Sequence, residues 1–255
     1  MDIDGRGVIL IAPTGTGKTT HAFKLVQLPG SRILGDDWVY VTHPKEGAGG
    51  DKGSLVATQP ERSLYLRTED EREFRWLRAV FDRCMCENVI MRKEDCEKPL
   101  CRDGCKEGRR RCVFDEGKRW CYYGFGNSRA MVRREWLWGR EKVADRTKVS
   151  LVVLLERVPE KTPEERLGPD EAIEVLRKGK YTVQPGAGPK EDWGRVSYEP
   201  WYNPYLYPID VDDKIQEHYF YRLFSEFKIP CIKLNTAVQA IESTHKRILR
   251  VLKGR

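Results

Sequence analysis

Lys18 and Thr19 follow two glycines, Gly15 and Gly17, and a pair of adjacent carboxylates, Asp36 and Asp37, comes soon after in the chain. Each of these residue types has a use around a phosphate. A lysine ammonium is a flexible point charge that can reach outer phosphate oxygens. A threonine hydroxyl can sit on Mg²⁺, and a carboxylate can hold the same ion through water. A second carboxylate can take the proton of an attacking hydroxyl. The chemistry on offer is phosphoryl transfer, with Thr14, Gly15, Thr16, Gly17, Lys18, Thr19 and Thr20 as the phosphate-binding set and Thr19, Asp36 and Asp37 as the metal-holding set.

The flanking elements fit that use. Val8-Ile9-Leu10-Ile11 is apolar and predicts a buried strand. Ala12 to Thr20 predicts a glycine-containing loop, and the residues to about Gln27 predict an apolar-periodic helix. Strand, loop and helix N-terminus together make a P-loop, in which backbone N–H groups and the helix dipole converge on a phosphate. Ala12 stands where the motif usually has its first glycine. Ser31 to Val41 predicts a strand interrupted by the acidic pair, far closer to the loop than the single metal-linked Asp of most P-loop NTPases. A chance glycine-rich turn and a solvated Asp-Asp turn are the plainer alternatives.

Gly7 to Thr19, followed by Ile33-Leu34-Gly35-Asp36-Asp37-Trp38-Val39, resembles the nucleotide core shared by HPr kinase/phosphorylase and ATP-dependent phosphoenolpyruvate carboxykinase. The carboxykinase motifs are G-x-x-G-T-G-K-T-T and G-D-D, the HPr kinase counterpart of the second is A-D-D-R-V, and this chain carries a hybrid. Further along, Glu87-Asn88-Val89 is similar to a carboxykinase E-N-V segment. Gly124 to Ala130 is similar to E-N-T-R-A, whose Arg contacts the transferring phosphoryl group. Leu167 to Thr182 is similar to a segment running from L-T-P-E-Q-A-M to G-Y-T.

The resemblance implies an α/β fold, a mixed twisted sheet with flanking helices. It also implies ATP as phosphoryl donor, Mg²⁺ or Mn²⁺ as metal, and Arg129 beside Lys18, Asp36 and Asp37 as the catalytic set. In the C-terminal helix, His245 falls near a position that approaches the nucleotide. A planar guanidinium also suits the equatorial oxygens of a phosphoryl group in flight, while a plain surface arginine is the alternative. The carboxykinases have a large N-terminal domain, and a Lys and a His ahead of the P-loop that serve oxaloacetate and a second metal. HPr kinases also have a His upstream of the strand. With no counterparts in this sequence, decarboxylation is not expected and phosphoryl transfer is.

At 255 residues, with 40 % hydrophobic and 33 % charged residues, the chain suits one globular domain with room for an insertion. Few Asn and Gln beside many Arg, Lys and Glu match the composition of thermophile proteins. An acidic start and short apolar runs give no sign of a signal peptide or membrane span, so a cytoplasmic location is expected. Residues 84 to 148 hold 17 Lys and Arg against 11 Asp and Glu, which places +6 of the +7 net charge there. Such a face could hold an anionic substrate or nucleic acid, or merely face water.

Seven of the eight cysteines lie between Cys84 and Cys121. No C-x-x-C knuckle is present, so disulfides, zinc and an iron–sulfur cluster all stay open, each structural. The stretch reads as an insertion, residues 84 to 121, stapled because it has little core of its own.

Other expectations are local. His43 opens a glycine-rich loop that could cover the nucleotide. Thr68 to Glu71 predicts a capping box and a helix through Phe81, Glu87 to Met91 a strand, and Trp136 to Trp138 a core piece. Val149 to Leu155 predicts a central strand, Pro169 to Gly179 a helix, and Gln184 to Tyr207 a long loop. Asp210 should cap another helix, Ile229 to Asn235 form a strand, and Thr236 to Leu252 the last helix. The function expected is an ATP-dependent kinase for a hydroxyl on a small metabolite, such as free serine. The rivals are a kinase for a seryl residue on a partner protein and a non-catalytic nucleotide-binding module that holds nucleic acid.

Overall fold

A computed structural model of the chain describes residues 1–44, 53–59, 61–96, 111–123, 128–184, 190–201 and 209–254. The fold is mixed α/β. The chain divides into two compact units: one comprises Met1–Pro60 and Glu141–Arg255, the other Glu61–Arg140.

The first unit is built on a mixed sheet whose spine is the strand Arg146–Glu156. From Leu151 to Leu155 every residue of this strand is buried, so both faces are covered, and the sequence there is an unbroken Leu/Val run. Two strands lie parallel beside it: Arg6–Ile11 with Ile9 opposite Val152, and Cys231–Asn235 with Ile232 opposite Val153. Antiparallel strands extend the sheet on either side, Glu164–Leu167 beyond Cys231–Asn235, and Asp2–Ile3 then Ser31–Arg32 beyond Arg6–Ile11. Val56–Thr58 pairs antiparallel with the first part of the spine and with Tyr40–Thr42.

A bulge between Gly7 and Val8 sets the register of the loop-bearing strand against the spine. Glycine is required there by close approach, because a Cβ at Gly7 would lie 2.6 Å from Thr147 Cγ2 and 2.7 Å from the Lys148 carbonyl oxygen.

Helices flank the sheet. Lys18–Val26 buries His21, Ala22, Phe23, Leu25 and Val26, and Ile241–Leu252 buries Thr244, His245 and Ile248. Pro169–Lys178 follows its expected boundaries. Pro169 occupies the first turn, the Glu171 carboxylate accepts the Gly168 N–H at 2.8 Å, and Gly179 ends the helix at φ 55°. Ile209–Tyr221 continues into a π-helical turn, Arg222–Glu226.

The second unit has its own three-stranded antiparallel sheet, with Arg129–Arg133 between Ser63–Arg67 and Cys86–Glu87. Leu64, Leu66, Leu77, Phe81, Ala130 and Val132 are buried in it. The cysteine-rich stretch lies within this unit. Among the described residues Cys84, Cys86, Cys96 and Cys112 are free thiols and Cys121 is buried, while Cys101 and Cys105 lie outside the described residues.

Several local expectations need correction. The helix expected from Thr68 to Phe81 is a 3₁₀ turn, Thr68–Arg72, and a separate short helix, Leu77–Phe81. No side chain caps either, so the acidic triplet Glu69-Asp70-Glu71 starts only a tight turn. Of the strand expected over Glu87 to Met91, only Glu87 belongs to the strand Cys86–Glu87, with a single bridge from Ile90 to Cys121 beyond it. Trp136 is exposed rather than core, on the solvent side of the short helix Arg134–Trp138. The stretch expected as loop after Gln184 holds a strand, Val196–Tyr198, paired with Lys180–Thr182. The last helix starts at Ile241 rather than Thr236, because the Thr236 hydroxyl is engaged by the carbonyls of Thr16 and Glu156. Residues 45–52 of the loop after His43, Gly124 to Asn127, and the aromatic run from Tyr202 lie outside the described residues.

Candidate functional site

The strand Arg6–Ile11 delivers the chain to a turn at Pro13, where the Thr16 hydroxyl donates to the Pro13 carbonyl at 2.7 Å. Gly15 and Gly17 then adopt φ of 84° and 92°, a left-handed conformation open to glycine at little cost. Gly17 directly precedes the helix, and its carbonyl accepts the His21 N–H at 2.9 Å. No side chain caps this helix N-terminus and its first turn holds no acidic residue. The N–H groups that a cap would ordinarily satisfy are left for an anion, with the positive end of the helix dipole behind them.

Lys18 and Thr19 stand on the first turn of that helix and face the acidic pair. The Lys18 ammonium donates to the Asp36 carbonyl oxygen, and lies 3.2 Å from Asp36 Oδ1 and 3.3 Å from Asp37 Oδ1. The Thr19 hydroxyl donates to Asp36, 3.0 Å from Oδ2. The two carboxylates differ in setting: the Asp36 side chain is 4 % exposed and the Asp37 side chain 50 %. The strand Ser31–Arg32 and the bridge from Ile33 to Val143 bring the chain to this point, and it bends at Asp36 and Asp37 before resuming as Tyr40–Thr42. The single interrupted strand expected from the sequence is two short strands with different partners, Ser31–Arg32 beside Asp2–Ile3 and Tyr40–Thr42 beside Val56–Thr58, and the pair lies between them.

The oxygen set of Thr19 and Asp36 suits a hard divalent cation that completes its shell with phosphate oxygens and water. Among the described residues no group of three or more His, Cys, Asp or Glu side chains is gathered to hold a metal by itself. Magnesium bound mainly through substrate phosphates needs no such cage.

Beside the glycine loop lies a cavity of about 50 Å³. It is lined by Lys18, Asp36 and Asp37 and by Leu34, Trp38 and Gln59, but not by the loop residues Thr14 to Gly17. Gln59 went unnoticed in the sequence, where a lone glutamine after a three-residue strand carries no signal. Its side chain packs directly under Gly35, where a Cβ would fall 2.2 Å from Gln59 Nε2.

The remaining candidates are placed as follows. His245 is buried against the P-loop helix, its Nε2 3.2 Å from Nδ1 of His21, a partner equally absent from the sequence reading. Burial lowers both rings, His21 to about 4 with His245 and Lys24 as further causes. His43 packs against Tyr219 and Phe227, with ring centroids 4.9 and 6.3 Å away. Burial, followed by the Arg222 charge, takes it to about 4. Arg129 belongs to the second unit, where its Nε donates to Glu87 at 3.1 Å and its guanidinium lies 4.9 Å from the centre of the Tyr65 ring. Thr14 and Thr20 flank the loop at the turn and in the first helical turn.

No helix among the described residues is long and apolar enough to cross a membrane. No family model matches the chain, and no curated protein matches it. Among the solved structures that match is that of the Hpr(Ser) kinase/phosphatase from Coxiella burnetii, with 14 % sequence identity and a TM-score of 0.30 over 65 % of this chain and 71 % of that one.

Proposed function

We propose that the chain is a phosphotransferase that moves the terminal phosphate of ATP to a hydroxyl of a small metabolite, such as a hydroxy amino acid like free serine. One observation carries the reading: the Lys18 ammonium, the Thr19 hydroxyl and the carboxylates of Asp36 and Asp37 converge at an uncapped helix N-terminus behind two left-handed glycines. The small size of the adjoining cavity favours a metabolite over a bulkier acceptor.

In this reading the backbone of Thr14 to Thr20 cradles the phosphates, and Lys18 spans from them to the acidic pair. Thr19 and Asp36 would hold Mg²⁺, which supplies charge neutralisation to the phosphate oxygens when bound. Asp37, the more solvent-open carboxylate, accepts the proton of the acceptor hydroxyl as that oxygen bonds to the terminal phosphorus. The bond from phosphorus to the bridging oxygen breaks, and the nucleoside diphosphate leaves with its electron pair. Lys18 stabilises the charge that grows on the leaving side. Arg129, the clamp implied by family resemblance, has no step in this scheme. Transfer of label from terminally labelled ATP to the hydroxyl compound tests the assignment.

A further inference from the structure

The Gln59 side chain is buried, its residue 9 % exposed, and neither Nε2 nor Oε1 has a hydrogen-bond partner among the described residues. A buried primary amide with both ends unsatisfied is costly, since it has given up water and gained nothing. Native proteins seldom keep such a group without a reason. Gly35 makes the placement possible: with a Cβ there, contacts of 2.2, 2.4 and 2.6 Å to Nε2, Cδ and Cγ would push the amide away. The same glycine immediately precedes Asp36 and Asp37, so the segment that presents the carboxylates also leaves room for the amide beside Gly35.

Gln59 lines the cavity that Lys18, Asp36 and Asp37 share. Its other walls include Val8, Leu34, Trp38 and Ala57, all apolar. Thr14 to Gly17 are not among them, so the cavity meets the proposed phosphate site at Lys18 and extends away from the loop. A volume near 50 Å³ accommodates a few water molecules or a short carbon chain with one polar end.

We propose that Gln59 is the specificity-determining residue for the phosphate acceptor, and that the acceptor is a short, largely apolar compound with a second uncharged polar group besides the hydroxyl it offers to Asp37. This deepens the kinase reading and rests on it, and it narrows the acceptor away from a zwitterion such as free serine. An amide offers one donor edge and one acceptor edge, and a hydroxyl or carboxamide answers both. A cationic group would leave the Nε2 edge unanswered, and an anionic group the Oε1 edge. A site whose buried polar groups are satisfied only by the right ligand rejects analogues that lack the matching group.

The test is equilibrium binding of two- to six-carbon diols, hydroxy amides, hydroxy acids and amino alcohols to the full chain, with Mg²⁺ and a non-transferable ATP analogue present, read by titration calorimetry. The wild type should bind at least one diol or hydroxy amide. Gln59→Met, nearly equal in volume, should weaken that binding by at least about tenfold, leave the affinity for the ATP analogue unchanged and melt no lower than wild type. Gln59→Glu should shift the ranking towards amino alcohols, and it decides the matter if the Met variant does not fold. Acceptor affinity unchanged in Gln59→Met, a ranking unchanged in Gln59→Glu, or a wild type that binds no member would overturn the proposal. Gln59-dependent binding without any phosphate transfer would sink the kinase reading and leave the binding assignment standing.

Discussion

The Thr19 hydroxyl lies 3.0 Å from Asp36 Oδ2, whereas Asp37, the very next residue, reaches towards Lys18 with half of its side chain in solvent. Adjacent carboxylates with different partners should fail differently. Asp36→Asn should weaken binding of the Mg²⁺–nucleotide complex. Asp37→Asn should bind nucleotide within about twofold of wild type yet lose on the order of 10²- to 10⁴-fold in transfer rate. Nucleotide titrations beside single-turnover rates check this, and equal losses of both kinds in both variants would contradict the division of roles.

Lys18 joins both carboxylates to the helix N-terminus. Lys18→Ala removes a preorganised charge from the reacting phosphate and leaves two neighbouring anions without their shared cation. The transfer rate should fall by about 10²- to 10³-fold. Near-normal turnover in this variant would contradict the placement of the phosphates.

Gly179 sits at φ 55°, and a Cβ there would lie 1.6 Å from the Glu199 carbonyl oxygen and 2.2 Å from its carbon. Both partners are backbone, so neither can swing aside. Gly179→Ala should destabilise the fold by more than about 2 kcal/mol. Urea unfolding reads the loss, and a midpoint within error of wild type would show that the helix end is not held as described.

Burial takes His21 to about 4 and lowers His245 as well. In the unfolded chain such rings titrate near 6.5. Between about 4 and 6.5 the unfolded state therefore binds protons that the folded state excludes. This contribution to stability is complete above 6.5 and is lost as pH falls towards 4. Urea midpoints between pH 7.5 and 4.5 should decline in the wild type and decline less in the double variant His21→Leu/His245→Met. Parallel slopes would contradict the assignment.

The local parts of the site were legible in the amino-acid sequence. Val8 to Ile11, the glycines of the loop and the helix from Lys18 are set by short-range rules: an apolar run, left-handed φ and a helix start. The acidic pair was visible for the same reason, as a polar break in an apolar run. Long-range relations left no such trace. Gln59 matters only because Gly35 lacks a side chain, and a relation between residues 35 and 59 has no periodicity to reveal it. His21 meets His245 across 224 positions, through the packing of two helices. Nothing local in Ser63–Arg67 says that it joins a different sheet from Val56–Thr58, since pairing partners are chosen by the whole fold. Trp136 was misplaced because hydrophobicity alone does not say which side of a short helix faces water.

The most direct measurement is nucleotide turnover with Mg²⁺ against a panel of hydroxyl-bearing metabolites and amino acids, with Asp37→Asn as control. The account predicts that at least one compound stimulates release of nucleoside diphosphate, gains a phosphate itself, and loses both effects in the variant. Tight ATP binding with no stimulation by any compound, or stimulation that survives Asp37→Asn, would contradict it.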